Sequence, residues 1–159
     1  MEVEKKVSEF KSLTKVVPRV ELLSIYLVNG NIERKSDALE HNKLEAEIAF
    51  NSELFSETDN EFTAIVSFSV IGRSIEDKKY EAVKIEGKYL LNYSIDRDSD
   101  VKKADLKSFC DMNAIYNAWP YWREFVQSTT VRMAMPALTL PLLKFRPPNK
   151  RKKESKKTK

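Results

Sequence analysis

Residues 43–50 (KLEAEIAF) place Leu44, Ala46, Ile48 and Phe50 on one face and Glu45 and Glu47 on the other. That alternation predicts a half-buried strand. Residues 61–72 carry the pattern further, with Phe62, Ala64, Val66, Phe68 and Val70 in one row. The opposite row is milder and predicts partial cover on that face as well. After a charged turn over 73–79, Val83, Ile85, Tyr89, Leu91 and Tyr93 share a period of two, with Gly87 expected as a bulge. Residues 19–33 are rich in β-branched and aromatic side chains and read as a first long strand. Asn29-Gly30 within it marks either a hairpin turn or a bulge. The polar stretch 51–60 reads as a turn. Four antiparallel strands with short connections predict a β-meander.

The period changes after residue 99. Asp100 or Ser99 is placed to cap a short helix that runs to about Cys110. A longer helix is predicted from about Asn113 to Met133, with Ile115, Trp119, Trp122, Val126, Thr129 and Met133 three or four residues apart. Pro120 fits its first turn if Asn117 is the cap. Pro136 should end the helix, and the apolar, proline-bearing stretch 136–145 should pack as coil over the core. Val3, Val7, Phe10 and Leu13 predict a short amphipathic helix at the start of the chain. Strands first and helices second give an α+β class, with an antiparallel sheet backed on one face by a short and a long C-terminal helix.

Charge divides the chain unevenly. Of 28 basic and 24 acidic residues, seven basic and one acidic lie in 149–159, which leaves the rest mildly acidic, with 21 against 23. The net charge of +4 therefore does not mark a nucleic-acid-binding body. From Arg146 onward the composition is that of a disordered tail. Three domain-scale segments follow: 1–18, amphipathic or flexible; 19–145, the folded domain; and 146–159, the basic tail. Residues 1–17 lack the apolar run of a signal peptide, and no stretch approaches the roughly 20 apolar residues that span a bilayer. A cytoplasmic protein with no membrane insertion is the expectation.

Counting removes most catalytic machinery. One Cys (Cys110) and one His (His41) cannot supply a Cys/His zinc site, a redox pair or a disulfide framework. Three glycines, at 30, 72 and 87, make no phosphate-binding loop. A serine triad would rest on His41 alone, without a nucleophile elbow. Asp96 and Asp98 are paired carboxylates in an apparent loop with no pocket to serve. No cofactor, no metal and no catalytic residue are expected.

The segment 118–145 (AWPYWREFVQSTTVRMAMPALTLPLLKF) resembles the signature region of the SecB family of export chaperones. The matching elements are Trp119-Pro120-Tyr121-Trp122-Arg123-Glu124, then Val131-Arg132, then Pro136-Ala137-Leu138-Thr139-Leu140 with Phe145. Ile25-Tyr26 and the strand from Leu44 to Phe50 agree more loosely, so the resemblance covers roughly 19–145. It implies a four-stranded antiparallel sheet backed by a long helix, assembled as a homotetramer, a dimer of dimers. It also implies an ATP-independent holdase that binds unfolded client polypeptides in apolar grooves. In the family the client passes to the SecA translocase motor for protein translocation; relatives outside export guard an antitoxin in toxin–antitoxin systems. Here Arg146-Pro147-Pro148 and a lysine run stand where family members often carry an acidic tail, which makes a non-export client role a contender.

The expected client-binding residues are Leu44, Ala46, Ile48, Phe50, Tyr116, Trp119, Met133, Met135, Leu138 and Leu140. The expected oligomer interface comprises Val20, Leu22, Ile25, Tyr26, Tyr121, Trp122, Arg123, Glu124, Phe125 and Val126, with Arg123-Glu124 as an ion pair at a subunit contact. The aromatic surplus on the long helix carries much of this, because one small sheet covers only one side of a helix that is apolar on most sides. The alternative is a nucleic-acid-binding accessory protein that uses the lysine tail, although no aromatics are interleaved there for base stacking.

Overall fold

The structure, a computed structural model, describes residues 12–40, 43–96 and 100–143. Four antiparallel strands form one sheet: β1 (Val20–Arg34), β2 (Leu44–Glu57), β3 (Glu61–Ser74) and β4 (Glu81–Ile95). Their order is β1-β4-β3-β2. The meander thus holds for β2 to β4, and β1 joins beside β4, pairing Val20 with Ile95 and Arg34 with Val83. The β1–β2 connection crosses the ends of the two central strands. It is tied down there by Lys35 N–H to the Ala82 carbonyl at 3.0 Å and by a hydrogen bond from the Tyr80 hydroxyl to Asp37.

β2 continues to Glu57, past the polar stretch expected to turn, and shifts register between Leu54 and Ser56. Backbone pairing to Phe62 and Ala64 overrides the polar composition, because an edge strand can keep one polar face in water. Asn29-Gly30 is no hairpin turn: β1 runs on with a register shift between Leu27 and Asn29. Gly87 is no bulge either; it sits in regular register between Gly30 and Phe68.

The helical part begins at α1 (Lys103–Phe109) and, through a π-helical turn at Cys110–Ala114, runs directly into α2 (Ile115–Arg132). Lys102 stands at the N-cap in place of Asp100 or Ser99, and Asp105, three residues on, reaches back to accept the Lys102 N–H at 3.0 Å. Asp100 instead pairs with Lys15 at 3.3 Å, and Ser99 lies outside the described residues. Since the turn is continuous, Asn117 is not a cap; it donates to the Tyr93 hydroxyl at 3.1 Å. Pro120 therefore stands inside α2, where its ring removes the N–H that the Tyr116 carbonyl would accept.

The 3.6-residue row is confirmed: Ile115, Trp119, Trp122, Val126 and Thr129 are buried and Met133 is half-buried. These side chains meet the inner rows of β3 and β4. Trp122 stacks on Phe68 at 5.3 Å between centroids, and Phe62 stacks on Tyr93 at 4.9 Å with Phe109 edge-on to both. The outer face of the sheet carries the milder rows of β3 and β4, which are mostly half-buried. It is knit by polar bonds, Thr63 to Asn92 at 2.9 Å and Asn92 to Ser24 at 3.0 Å. Residues 12–16 are helical and bury Leu13 and Val16; Val3, Val7 and Phe10 lie outside the described residues.

α2 ends in a Schellman motif. Met135 N–H reaches the Thr130 carbonyl and Ala134 N–H the Val131 carbonyl, both at 3.0 Å, with Ala134 at a φ of 55°. Residues 136–143 then fold back as coil, as the apolar pattern predicts. Leu140 is buried, and the backbone is held by Trp119 Nε1 to the Pro141 carbonyl (3.0 Å) and Arg123 Nε to the Leu140 carbonyl (2.8 Å). This strap covers a second side of α2, so part of the aromatic surplus is satisfied within one chain.

Candidate functional site

The crossover, the sheet and the strap converge on one groove of about 400 Å³. Its walls are Leu44 and Ala46 from β2, Ala38 and Leu39 from the crossover, and Met135 to Leu138 from the strap. Gly72 and Val83 form part of the floor: a methyl group at position 72 would meet Val83 Cγ1 at 2.6 Å, so only hydrogen fits there. No charged side chain lines the groove. Its one polar side chain, Thr130, is engaged, its hydroxyl donating to the Gln127 carbonyl and accepting the Leu138 N–H, each at 3.0 Å. Such a surface offers apolar contact without competing hydrogen-bond demands.

Four expected client-binding residues, Leu44, Ala46, Met135 and Leu138, come together here. Ile48 and Phe50 continue the row along β2; Phe50 packs edge-on to Trp119 at 6.0 Å between ring centroids yet stays 45% exposed. Tyr116 is exposed on the far side of α2. Trp119 and Leu140 are buried and Met133 is packed against the core, so these three act beneath the surface. The sequence pattern does not mark Ala38, Leu39, Gly72, Val83, Thr130, Pro136 or Ala137 as groove residues. Pro136-Ala137 lie between Met135 and Leu138 and so carry a signal; Ala38-Leu39 is a short apolar pair in a polar stretch and carries no periodic signal.

A second apolar surface runs along β1, an edge strand with one free side. Leu22, Leu23, Tyr26, Leu27, Val28 and Ile32 are all exposed. Val20 and Ile25 are half-buried. On α2, Tyr121 and Glu124 are exposed, Arg123 and Phe125 half-buried, and Trp122 and Val126 wholly enclosed. Trp122 and Val126 thus reach a partner only through the side chains above them. Arg123 turns to the Leu140 carbonyl rather than to Glu124.

Chemistry is sparse. Cys110 is buried in the π turn, and burial, helped by Asp111, pushes its thiol up to about 12. No group of metal-ligating side chains occurs among the described residues, and none of their helices is long and apolar enough to cross a membrane. His41, Asp98 and the lysine run 149–159 lie outside the described residues.

No family model matches the sequence, and no curated protein matches it. Among solved structures, the Mycobacterium tuberculosis SecB-like chaperone in complex with a ChAD peptide from the HigA1 antitoxin superposes with a TM-score of 0.74. The match is 16% identical and covers 88% of this chain and 99% of that one. The chain has the SecB-like fold. A protein of unknown function from Streptococcus agalactiae overlaps at a TM-score of 0.41 and 10% identity, over 77% of this chain and 97% of that one. With the SecB-like fold in place, the β1–β2 crossover and the strap are the elements that convert a simple sheet-and-helix layer into a groove.

Proposed function

We propose that the protein is an ATP-independent chaperone, a holdase that binds apolar segments of non-native polypeptides in the groove between β2 and the strap. One observation carries this reading: a groove lined without charge, on a SecB-like fold whose opposite sheet edge is also apolar. Exposed apolar surface of this kind generally marks an interaction site. Holding is promiscuous apolar recognition, and it requires neither a nucleotide nor a reacting group. The neighbour's antitoxin peptide favours a dedicated client, such as an antitoxin, over general export. The basic tail expected at 146–159, in place of an acidic one, leans the same way.

Assembly completes the proposal. Two copies joined along β1 would cover its exposed apolar side chains and pair its free backbone edge. Tyr116, Tyr121 and Glu124 on α2 would meet a second pair.

The test is light scattering of a chemically denatured client diluted into buffer with the purified protein. Leu39→Glu with Leu44→Glu should abolish protection, since both residues line the groove and Leu39 is 53% exposed. Deleting 149–159 should leave protection intact. The converse result would favour the tail and a nucleic-acid role.

A further inference from the structure

Next to the apolar groove lies a second cavity, of about 480 Å³, with the opposite character. It is formed where β1 ends and β4 begins, and its cations are Arg34, Lys35, Lys79 and Lys84. Two carboxylates, Glu33 and Glu81, also line it, so cations outnumber anions four to two. Glu81 holds Arg73 at 2.7 Å, and Glu33 accepts from Asn31 at 2.9 Å. Lys84 is likewise held by Glu86 at 2.9 Å. Arg34, Lys35 and Lys79 remain without a carboxylate at ion-pair distance among the described residues. Lys35 lies 4.2 Å over the Tyr80 ring, which fixes its ammonium without neutralising it.

Arg34 is the distinctive member. It is half-buried at the end of β1, and its Nε is shut off from solvent with no acceptor. A buried donor of a charged group left unmet is costly, and native structures rarely keep one without cause. The two cavities border the same crossover and the same end of β4 without a residue in common. Arg34 and Lys35 line one while Ala38 and Leu39, a turn later, line the other; Ala82 and its neighbour Val83 divide in the same way. Ala38 N–H to the Lys35 carbonyl at 3.1 Å locks that turn.

We propose that this basic cavity is a carboxylate-recognition site, so that the preferred client segment is apolar with acidic residues beside it. The inference rests on the chaperone reading, because it takes the groove as the seat of the apolar part. A guanidinium and two ammonium groups around one cavity suit a pair of adjacent carboxylates, with charge-assisted hydrogen bonds supplying selectivity over uncharged isosteres. The apolar groove alone would accept either; the cavity distinguishes them.

The test uses two fluorescent peptides that share one apolar core, one flanked by Asp-Glu and the other by Asn-Gln, with anisotropy as the readout on the full chain. Wild-type protein should bind the acidic peptide about tenfold more tightly, an effect that falls with salt. Arg34→Gln with Lys79→Gln should remove that difference and leave the neutral peptide unchanged. Lys35→Gln with Lys79→Gln serves as the second pair should Arg34 prove necessary for folding. Equal binding of both peptides by the wild type would overturn the carboxylate site while leaving the holdase reading intact. No binding of either would overturn both. Displacement of the acidic peptide by a single-stranded oligonucleotide, lost in the same variants, would show that phosphate is the natural ligand and would also overturn the proposal.

Discussion

Gly87 of β4 lies directly beneath the indole of Trp122: a methyl group at position 87 would stand 2.8 Å from Cζ3 and 3.2 Å from Cε3. The glycine is there for close approach, because its backbone sits in regular register. Gly87→Ala should therefore overpack the core and cost about 1–3 kcal/mol. Trp122→Ala, which empties a fully enclosed site, should cost about 3–5 kcal/mol. Urea unfolding checks both. Because the introduced methyl meets the indole, Gly87→Ala should cost much less once Trp122 is already alanine. Additive losses would place the strain elsewhere.

Ala134 ends α2 in a left-handed conformation that glycine adopts freely. Ala134→Gly should raise stability by up to about 1 kcal/mol, since the left-handed penalty on a Cβ exceeds glycine's extra entropy cost. Ala134→Val should lower it. Thermal melts of the two variants should move in opposite directions, and the strap bonds depend on this turn.

Alkaline pH should unfold the protein through its buried acids. Burial raises Cys110 from about 9.0 to about 12 and Tyr89 from about 10.0 to about 12, and it also raises Tyr93. Between these values the unfolded chain loses protons that the native chain keeps. The stability these groups contribute should thus be constant below about pH 9 and fall as pH rises toward 12. Cys110→Ala should flatten the first part of that fall. A denaturant midpoint that does not change from pH 8 to pH 11 would contradict the burial of these groups.

The edge strand gives a prediction about mass. Multi-angle light scattering at micromolar concentration should return a multiple of 18.5 kDa. Leu23→Lys with Val28→Lys, both at exposed positions of β1, should shift it toward the single chain without lowering the helical signal by circular dichroism. A wild-type mass of one chain would dismiss β1 as an interface.

Much of the architecture was legible because its signals are local. Phe62 to Val70 and Val83 to Tyr93 alternate so cleanly that the inner rows of β3 and β4 could be read directly. The row from Ile115 to Thr129 likewise fixed the buried side of α2. Pairing was not legible: nothing near Val20 announces that its partner is Ile95 rather than a residue of β2. Gly87 and Pro120 depart from their usual local roles because something beyond the residue itself sets the outcome. The indole of Trp122 explains the first, and the continuous helix entering from α1 the second. At the site, Leu44, Ala46, Met135 and Leu138 could be named from pattern and resemblance. Leu39 and the Arg34 cavity could not, because both arise from the crossover, which no periodicity describes.

The pairing of β1 with β4 has a consequence for how the chain is made. Val20 is synthesised early and Ile95 much later, and every ladder bond of β1 is to β4. While the chain emerges from the ribosome, β2 and β3 can close as a hairpin as soon as both are present, because their contacts are close in sequence. β1 has to wait. Until Ile95 has emerged, Leu22, Leu23, Tyr26, Leu27 and Val28 belong to an unpaired apolar stretch of nascent chain. During its own synthesis this protein displays the kind of segment that its groove is proposed to hold.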